Sequence, residues 1–139
     1  MNHRARKRVL VVEDNLLNME LVTDLLEASG DSVCQARTAE EGLRLAEATL
    51  PDVILMDLSL PGMDGLAATR ALRANPATGH LPVIALTAHA MRGDEESVLA
   101  AGCDGYLAKP IDTRTFLARL AGFVEGANRR RGKTKLATT

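Results

Sequence analysis

Three carboxylates, a hydroxyl and an ammonium each close an apolar run in this chain. Glu13 and Asp14 follow Arg8-Val9-Leu10-Val11-Val12, Asp57 ends Asp52-Val53-Ile54-Leu55-Met56, Thr87 ends Pro82-Val83-Ile84-Ala85-Leu86, and Lys109 follows Gly105-Tyr106-Leu107-Ala108. Carboxylates gathered at one place repel one another, so they must raise a pKa or recruit a cation. A small all-oxygen pocket with room for water suits Mg²⁺ (or Mn²⁺), and Glu13, Asp14, Asp57 and the main-chain carbonyl of Ser59 read as its ligands. Lys109 beside such a cluster is a point charge for phosphoryl oxygens, and Thr87 adds a hydroxyl donor. Jointly these groups are what an aspartyl-phosphate centre needs: in-line attack by Asp57, with charge on the equatorial oxygens shared by the metal, Lys109 and Thr87. Singly they are ambiguous, since Asp57 alone is equally a metal ligand, a helix cap or a solvated loop residue.

The elements that must position these groups are legible in the apolar pattern. Residues 8–12, 32–36, 52–57, 82–87 and 105–108 read as strands, and 52–57 reads as buried on both faces, with the Pro61-Gly62 loop just beyond its tip. Between them lie helical stretches. Residues 16–29 place Leu17, Leu21, Val22, Leu25 and Leu26 on one face and Leu16, Met19 and Thr23 on the open side, either as a loosely covered surface or as a docking patch beside Glu13 and Asp14. Thr38 with Glu41 forms a capping-box pattern opening a helix that Pro51 stops. Further helices span Leu66 to Ala74 and Met91 to Ala101, and a last one is capped by Asp112 with Phe116, Leu117, Leu120 and Phe123 inward. Strands and helices alternate five times, which requires an α/β parallel sheet with helices on both faces. The polar strand tips then share one edge, where open α/β sheets carry their sites.

Composition narrows the classes. The chain has 139 residues and the length of one domain. Two cysteines, Cys34 and Cys103, make no disulfide framework and imply reduced thiols. Neither a signal peptide nor an apolar span is present, so the expectation is a cytoplasmic protein without a membrane span. Nine of the 17 basic residues lie at the two ends, where no acid occurs, leaving a body with eight basic and 18 acidic residues. The expected organisation is a basic extension over 1–7, a domain over 8–126, and a basic, disordered tail over 127–139. About 13 residues follow the last helix, too few for a DNA-binding or enzymatic output domain.

The motifs Val11-Val12-Glu13-Asp14-Asn15, Leu55-Met56-Asp57 with Leu60-Pro61-Gly62-Met63-Asp64-Gly65, Ala85-Leu86-Thr87-Ala88 and Tyr106-Leu107-Ala108-Lys109-Pro110 occur in this order. On these residues the chain resembles the receiver domain of two-component response regulators, the CheY-like superfamily, from Arg8 to about Glu125. Within the family it is similar to DivK-type single-domain regulators and to receivers of hybrid histidine kinases. The resemblance implies a flavodoxin-like doubly wound sheet of order 2-1-3-4-5. It implies that Asp57 accepts a phosphoryl group from a sensor histidine kinase or a histidine phosphotransfer protein, that Glu13 and Asp14 hold the metal, and that Lys109-Pro110 is cis. It assigns Thr87 and Tyr106 to a switch that reshapes the face of the fourth helix, fifth strand and fifth helix, through which a downstream target binds. By the same analogy Ser59 and His89 flank the path of hydrolytic water, and Asn15, Leu16, Met19 and Pro110 are docking positions for the kinase. The implied protein is a stand-alone regulator, monomeric or weakly dimeric, that is not a classical enzyme but assists its own phosphorylation and dephosphorylation.

Three rivals fit less well. A phosphatase with an aspartate nucleophile wants a second Asp where Ser59 stands. A flavin-binding relative wants a Gly- or hydroxyl-rich loop where Glu13-Asp14-Asn15 is acidic. A pseudo-receiver that binds partners without phosphorylation has no need of the full set Glu13, Asp14, Asp57, Thr87 and Lys109.

Overall fold

A computed structural model of the chain describes residues 6–60, 62–88 and 92–130. Five parallel strands, β1 (Arg8–Val12), β2 (Ser32–Ala36), β3 (Val53–Asp57), β4 (Val83–Thr87) and β5 (Gly105–Ala108), alternate with the helices α1 (Leu16–Ala28), α2 (Ala39–Thr49), α3 (Gly65–Ala74), α4 (Arg92–Ala100) and α5 (Phe116–Arg130). The sheet order is β2-β1-β3-β4-β5, as the resemblance implies. Side chains alternate across the pleat, so each strand feeds two cores. Leu10, Val12, Ile54, Met56, Val83 and Ala85 pack beneath α2, α3 and α4. Val9, Val11, Val53, Leu55, Ile84 and Leu86 pack beneath α1 and α5. A strand covered on both faces must be apolar at every position, which is the pattern the sequence carries.

The chain leaves β1 toward β2 on one side and returns to β3 on the other. That reversal opens a crevice at the C-terminal edge, between the ends of β1 and β3.

Local chemistry fixes the helix starts. The Asn15 side chain accepts the Asn18 N–H at 2.9 Å at the head of α1, and Asp64 accepts the Ala67 N–H at 2.7 Å at the head of α3. Thr38 accepts the Glu41 N–H at 3.0 Å. The Glu41 carboxylate in turn accepts the Arg37 N–H at 2.9 Å, one residue earlier than the reciprocal box requires. Gly65 lets α3 start against the sheet, because a Cβ there would stand 2.5 Å from the Asp57 carbonyl oxygen. Asp112 organises the turn ahead of α5: its carboxylate accepts the Arg114 N–H at 3.0 Å and its carbonyl the Phe116 N–H at 3.0 Å.

The structure differs from expectation at three places. Met19 lies in the core at 5% exposure, with Val22 and Leu26, whereas Leu17 is 75% exposed and Leu16 62% exposed. Nearly every side of α1 offers an apolar residue, so periodicity alone does not single out the stripe that meets the sheet. At the other end, α5 continues past the expected boundary at 126 to Arg130. Ala127 is fully buried, and the Arg130 guanidinium reaches the Asp104 carboxylate at 3.2 Å, so burial and an ion pair hold residues whose composition reads as tail. Lys7, assigned to the N-terminal extension, is likewise tied to the sheet, donating its N–H to Asp31 Oδ1 at 3.0 Å.

At the edge opposite the crevice, Arg73 of α3 gathers the loops. It donates to the carbonyls of Gly79 and Leu81, to that of Gly102, and to Asp104 Oδ2 at 2.9 Å. The same Asp104 oxygen accepts the Val83 N–H at 2.9 Å.

Candidate functional site

The strand ends bring four of the predicted residues together. Glu13 follows β1 and is anchored there by its N–H, which donates to the Ala36 carbonyl at 2.9 Å. Asp57 is the last residue of β3. Oxygens of Glu13, Asp14 and Asp57 all lie within 4.8 Å of one another, with Glu13 and Asp57 buried and Asp14 half-buried. Lys109, beyond β5, reaches across with its ammonium 3.0 Å from Asp57 Oδ1 and 3.2 Å from Glu13 Oε1. Its N–H donates to the Thr87 carbonyl at 2.8 Å, which ties the ends of β4 and β5. The Lys109-Pro110 peptide bond is cis, as the resemblance implies.

Backbone amides share the negative charge. Asp57 Oδ1 accepts the Ser59 N–H at 3.0 Å, and Glu13 Oε2 accepts the Asn15 N–H at 3.1 Å. Glu13 Oε1 is buried and has no geometrically formed hydrogen bond among the described residues, and its charge is met by the Lys109 ammonium at 3.2 Å. Burial pushes the Glu13 carboxyl above its usual range, and neighbouring Asp57 adds to the rise. Burial works against the Lys109 ammonium, but Asp57 and Glu13 outweigh it and raise the lysine.

Such an arrangement has excess negative charge, an acceptor oxygen that lacks a donor, and a donor set of oxygens alone. Those properties fit a hard divalent cation held by Glu13, Asp14 and Asp57. The carboxylate at the strand tip, backed by a lysine, fits a nucleophile toward phosphorus.

The remaining predicted residues fall around this centre. Thr87 is buried at the end of β4, one strand from Asp57. Ser59 is exposed and contributes its amide to Asp57. Tyr106 is half-buried on β5, in register with Ala85. Asn15, Leu16 and Pro110 are exposed near the crevice, whereas Met19 is buried beneath α1 and presents no surface. His89 and Pro61 lie outside the described residues. Arg37 was not singled out from the sequence. Its guanidinium lies 3.5 Å from the Asp14 carbonyl, and the only signal was a cation one residue past β2.

Comparison with known proteins supports one family throughout. A family profile described as the response regulator receiver domain matches residues 9–121. The polar-differentiation response regulator DivK of Brucella ovis is 45% identical over 121 residues, which cover 87% of this chain and 98% of that protein. The receiver domain of a Pseudomonas aeruginosa sensor histidine kinase, solved with a magnesium ion coordinated in its active site cleft, superposes with a TM-score of 0.79 at 38% identity, covering 87% of this chain and 99% of that one. The chemotaxis protein CheY4 of Vibrio cholerae gives a TM-score of 0.81 at 28% identity over 86% of this chain and 99% of its own.

Proposed function

This chain belongs to the response regulator receiver domain family, and from that premise we propose that it is a phosphorylation-controlled signalling protein whose acceptor is Asp57. The observation that carries the proposal is the Lys109 ammonium placed between Asp57 and Glu13 at 3.0 and 3.2 Å, beside an acidic trio that lies within 4.8 Å. Asp57 Oδ1 is engaged by Ser59 and Lys109, so attack falls to the other oxygen. The Asp57–phosphorus bond forms as the phosphorus–nitrogen bond of a phosphohistidine breaks, and the donor imidazole keeps the electron pair. Lys109 and the Thr87 hydroxyl then take up charge on the phosphoryl oxygens. Glu13, Asp14 and Asp57, with the Ser59 carbonyl, would hold Mg²⁺ or Mn²⁺, which supplies charge neutralisation for an incoming dianion.

The donor is a sensor histidine kinase or a histidine phosphotransfer protein, which docks over the exposed Leu16 and neighbouring Asn15 and Pro110. Output runs through the surface of α4, β5 and α5 to a downstream protein in the cytoplasm, with the chain monomeric or weakly dimeric. The match along nearly all of DivK supports a regulator that acts without an attached output domain. Phosphoramidate, a small donor with a phosphorus–nitrogen bond, tests the chemistry. In Mg²⁺ the protein gains the mass of one phosphoryl group, and chelation prevents it; a folded protein that stays unmodified overturns the proposal.

A further inference from the structure

Three successive residues at the C-terminal end of β2 reach across to the segment that carries Glu13 and Asp14. The Gln35 side chain donates to Thr23 Oγ1 on α1 at 3.0 Å, the Ala36 carbonyl accepts the Glu13 N–H at 2.9 Å, and the Arg37 guanidinium reaches the Asp14 carbonyl at 3.5 Å. That last contact is long, but its donor is charged. The arm that makes it starts from a fixed backbone, since the Arg37 N–H donates to Glu41 Oε1 at 2.9 Å. Within the acidic trio the carboxylates are held unequally. Asp57 accepts the Ser59 N–H and pairs with Lys109, and Glu13 accepts the Asn15 N–H and pairs with the same ammonium. Among the described residues no hydrogen bond or ion pair holds the Asp14 carboxylate. Its direction is therefore set through its backbone, which Arg37 grips.

We propose that Arg37 is a positioning residue: by holding the Asp14 carbonyl from the end of β2, it aims the Asp14 carboxylate at the oxygens of Glu13 and Asp57. The inference rests on the reading of this trio as a divalent-cation site, and adds to it a residue that supplies no ligand of its own. Two effects of the guanidinium oppose each other. Its charge repels a divalent cation in the trio, but Arg37 is exposed, and water and salt screen a charge there. Its grip acts through the covalent frame of a ligand and is not screened. A close partner behind a metal ligand is worth about 10- to 100-fold in affinity. A long, exposed contact falls below that, at about three- to tenfold, and still outweighs the screened repulsion. The net effect of Arg37 is tighter binding of the cation.

Mn²⁺ titrated into the protein, with the free ion followed by electron paramagnetic resonance, reads the affinity directly. Arg37→Ala binds Mn²⁺ about three- to tenfold more weakly than wild type. Arg37→Lys, whose ammonium still extends toward the carbonyl, recovers part of the loss. In Asp14→Asn, where the aimed carboxylate is gone, adding Arg37→Ala costs nothing further. The bond to Glu41 is made by the Arg37 backbone N–H and survives these substitutions, so the urea midpoint of Arg37→Ala stays near that of wild type and lost affinity is not a lost fold. Affinity in Arg37→Ala equal to or tighter than wild type overturns the inference alone, because repulsion then outweighs the grip. An equal loss in the Asp14→Asn background also overturns it alone, because Arg37 then acts without Asp14. Failure of the wild-type protein to bind Mn²⁺ overturns the metal reading and the inference with it.

Discussion

Glu13 and Lys109 face each other, and each holds its proton more tightly in the folded protein than in the unfolded chain. The Glu13 carboxyl is raised by burial from 4.5, so the folded protein holds that proton more tightly than the unfolded chain. Its contribution to stability is full below the unfolded value and is lost as pH climbs through the raised folded value. A cation held by Glu13 offsets this loss, and it competes with protons for the same oxygens. The gain in melting temperature on adding Mg²⁺ is therefore larger at pH 7.5 than at pH 5, and Glu13→Gln largely removes it; equal gains at both pH values would contradict the assignment of Glu13 as a ligand. Lys109, raised from 10.5 by Asp57 and Glu13 against the effect of burial, stabilises the fold at every pH below that unfolded value. Its contribution is lost as pH rises through the folded value. Lys109→Met at neutral pH leaves two buried carboxylates facing each other and costs about 3 kcal/mol in urea unfolding. These residues were legible because charge at the end of an apolar strand is rarely idle. The Arg37 guanidinium beside the Asp14 carbonyl was not, because a single cation just past a strand has no periodicity to join it to a residue distant in the chain.

Among the elements, the strands could be read almost to the residue, since burial on both faces leaves little freedom in sequence. Helix α1 could not. The expected stripe includes Val22 and Leu26, which the sheet does meet, but also Leu17, which is exposed, and it leaves out Met19, which is buried, because the angle at which the helix lies is set by packing rather than by its own sequence. The correction has a measurable consequence: Met19→Ala costs about 2–5 kcal/mol, while Leu17→Asp stays within about 0.5 kcal/mol. Comparable losses for both variants would contradict this orientation. Asp104 offers a second test at this scale, since it lies at the edge away from the acidic crevice. Its buried carboxylate accepts from Arg73, Arg130 and the Val83 N–H, so Asp104→Ala leaves a guanidinium without its counter-ion and costs about 3–5 kcal/mol. Mg²⁺ affinity of the folded variant is unchanged, and calorimetry showing weaker Mg²⁺ binding would instead tie the two edges together. The sequence held little warning of this clasp, because Arg73 reaches loops that are distant in the chain.

Across the whole molecule, the doubly wound order places the chain reversal between β1 and β3, and the acidic trio stands at that point. The order of motifs along the sequence carries this placement, since parallel strands deliver all their C-terminal ends to one edge. What the motifs do not carry is the extent of the folded unit: α5 runs on to Arg130 because Ala127 is buried and Arg130 pairs with Asp104. The proposed role of Asp57 as acceptor of a phosphoryl group rests on its pairing with Lys109. Its most direct test is intact-mass measurement after incubation with acetyl phosphate and Mg²⁺, for wild type and Asp57→Asn side by side, followed by hydroxylamine. The expected result is one added phosphoryl group on the wild-type chain, removed by hydroxylamine as an acyl phosphate is, and none on the variant. Equal labelling of both, or label that resists hydroxylamine, would place the phosphate elsewhere and contradict it.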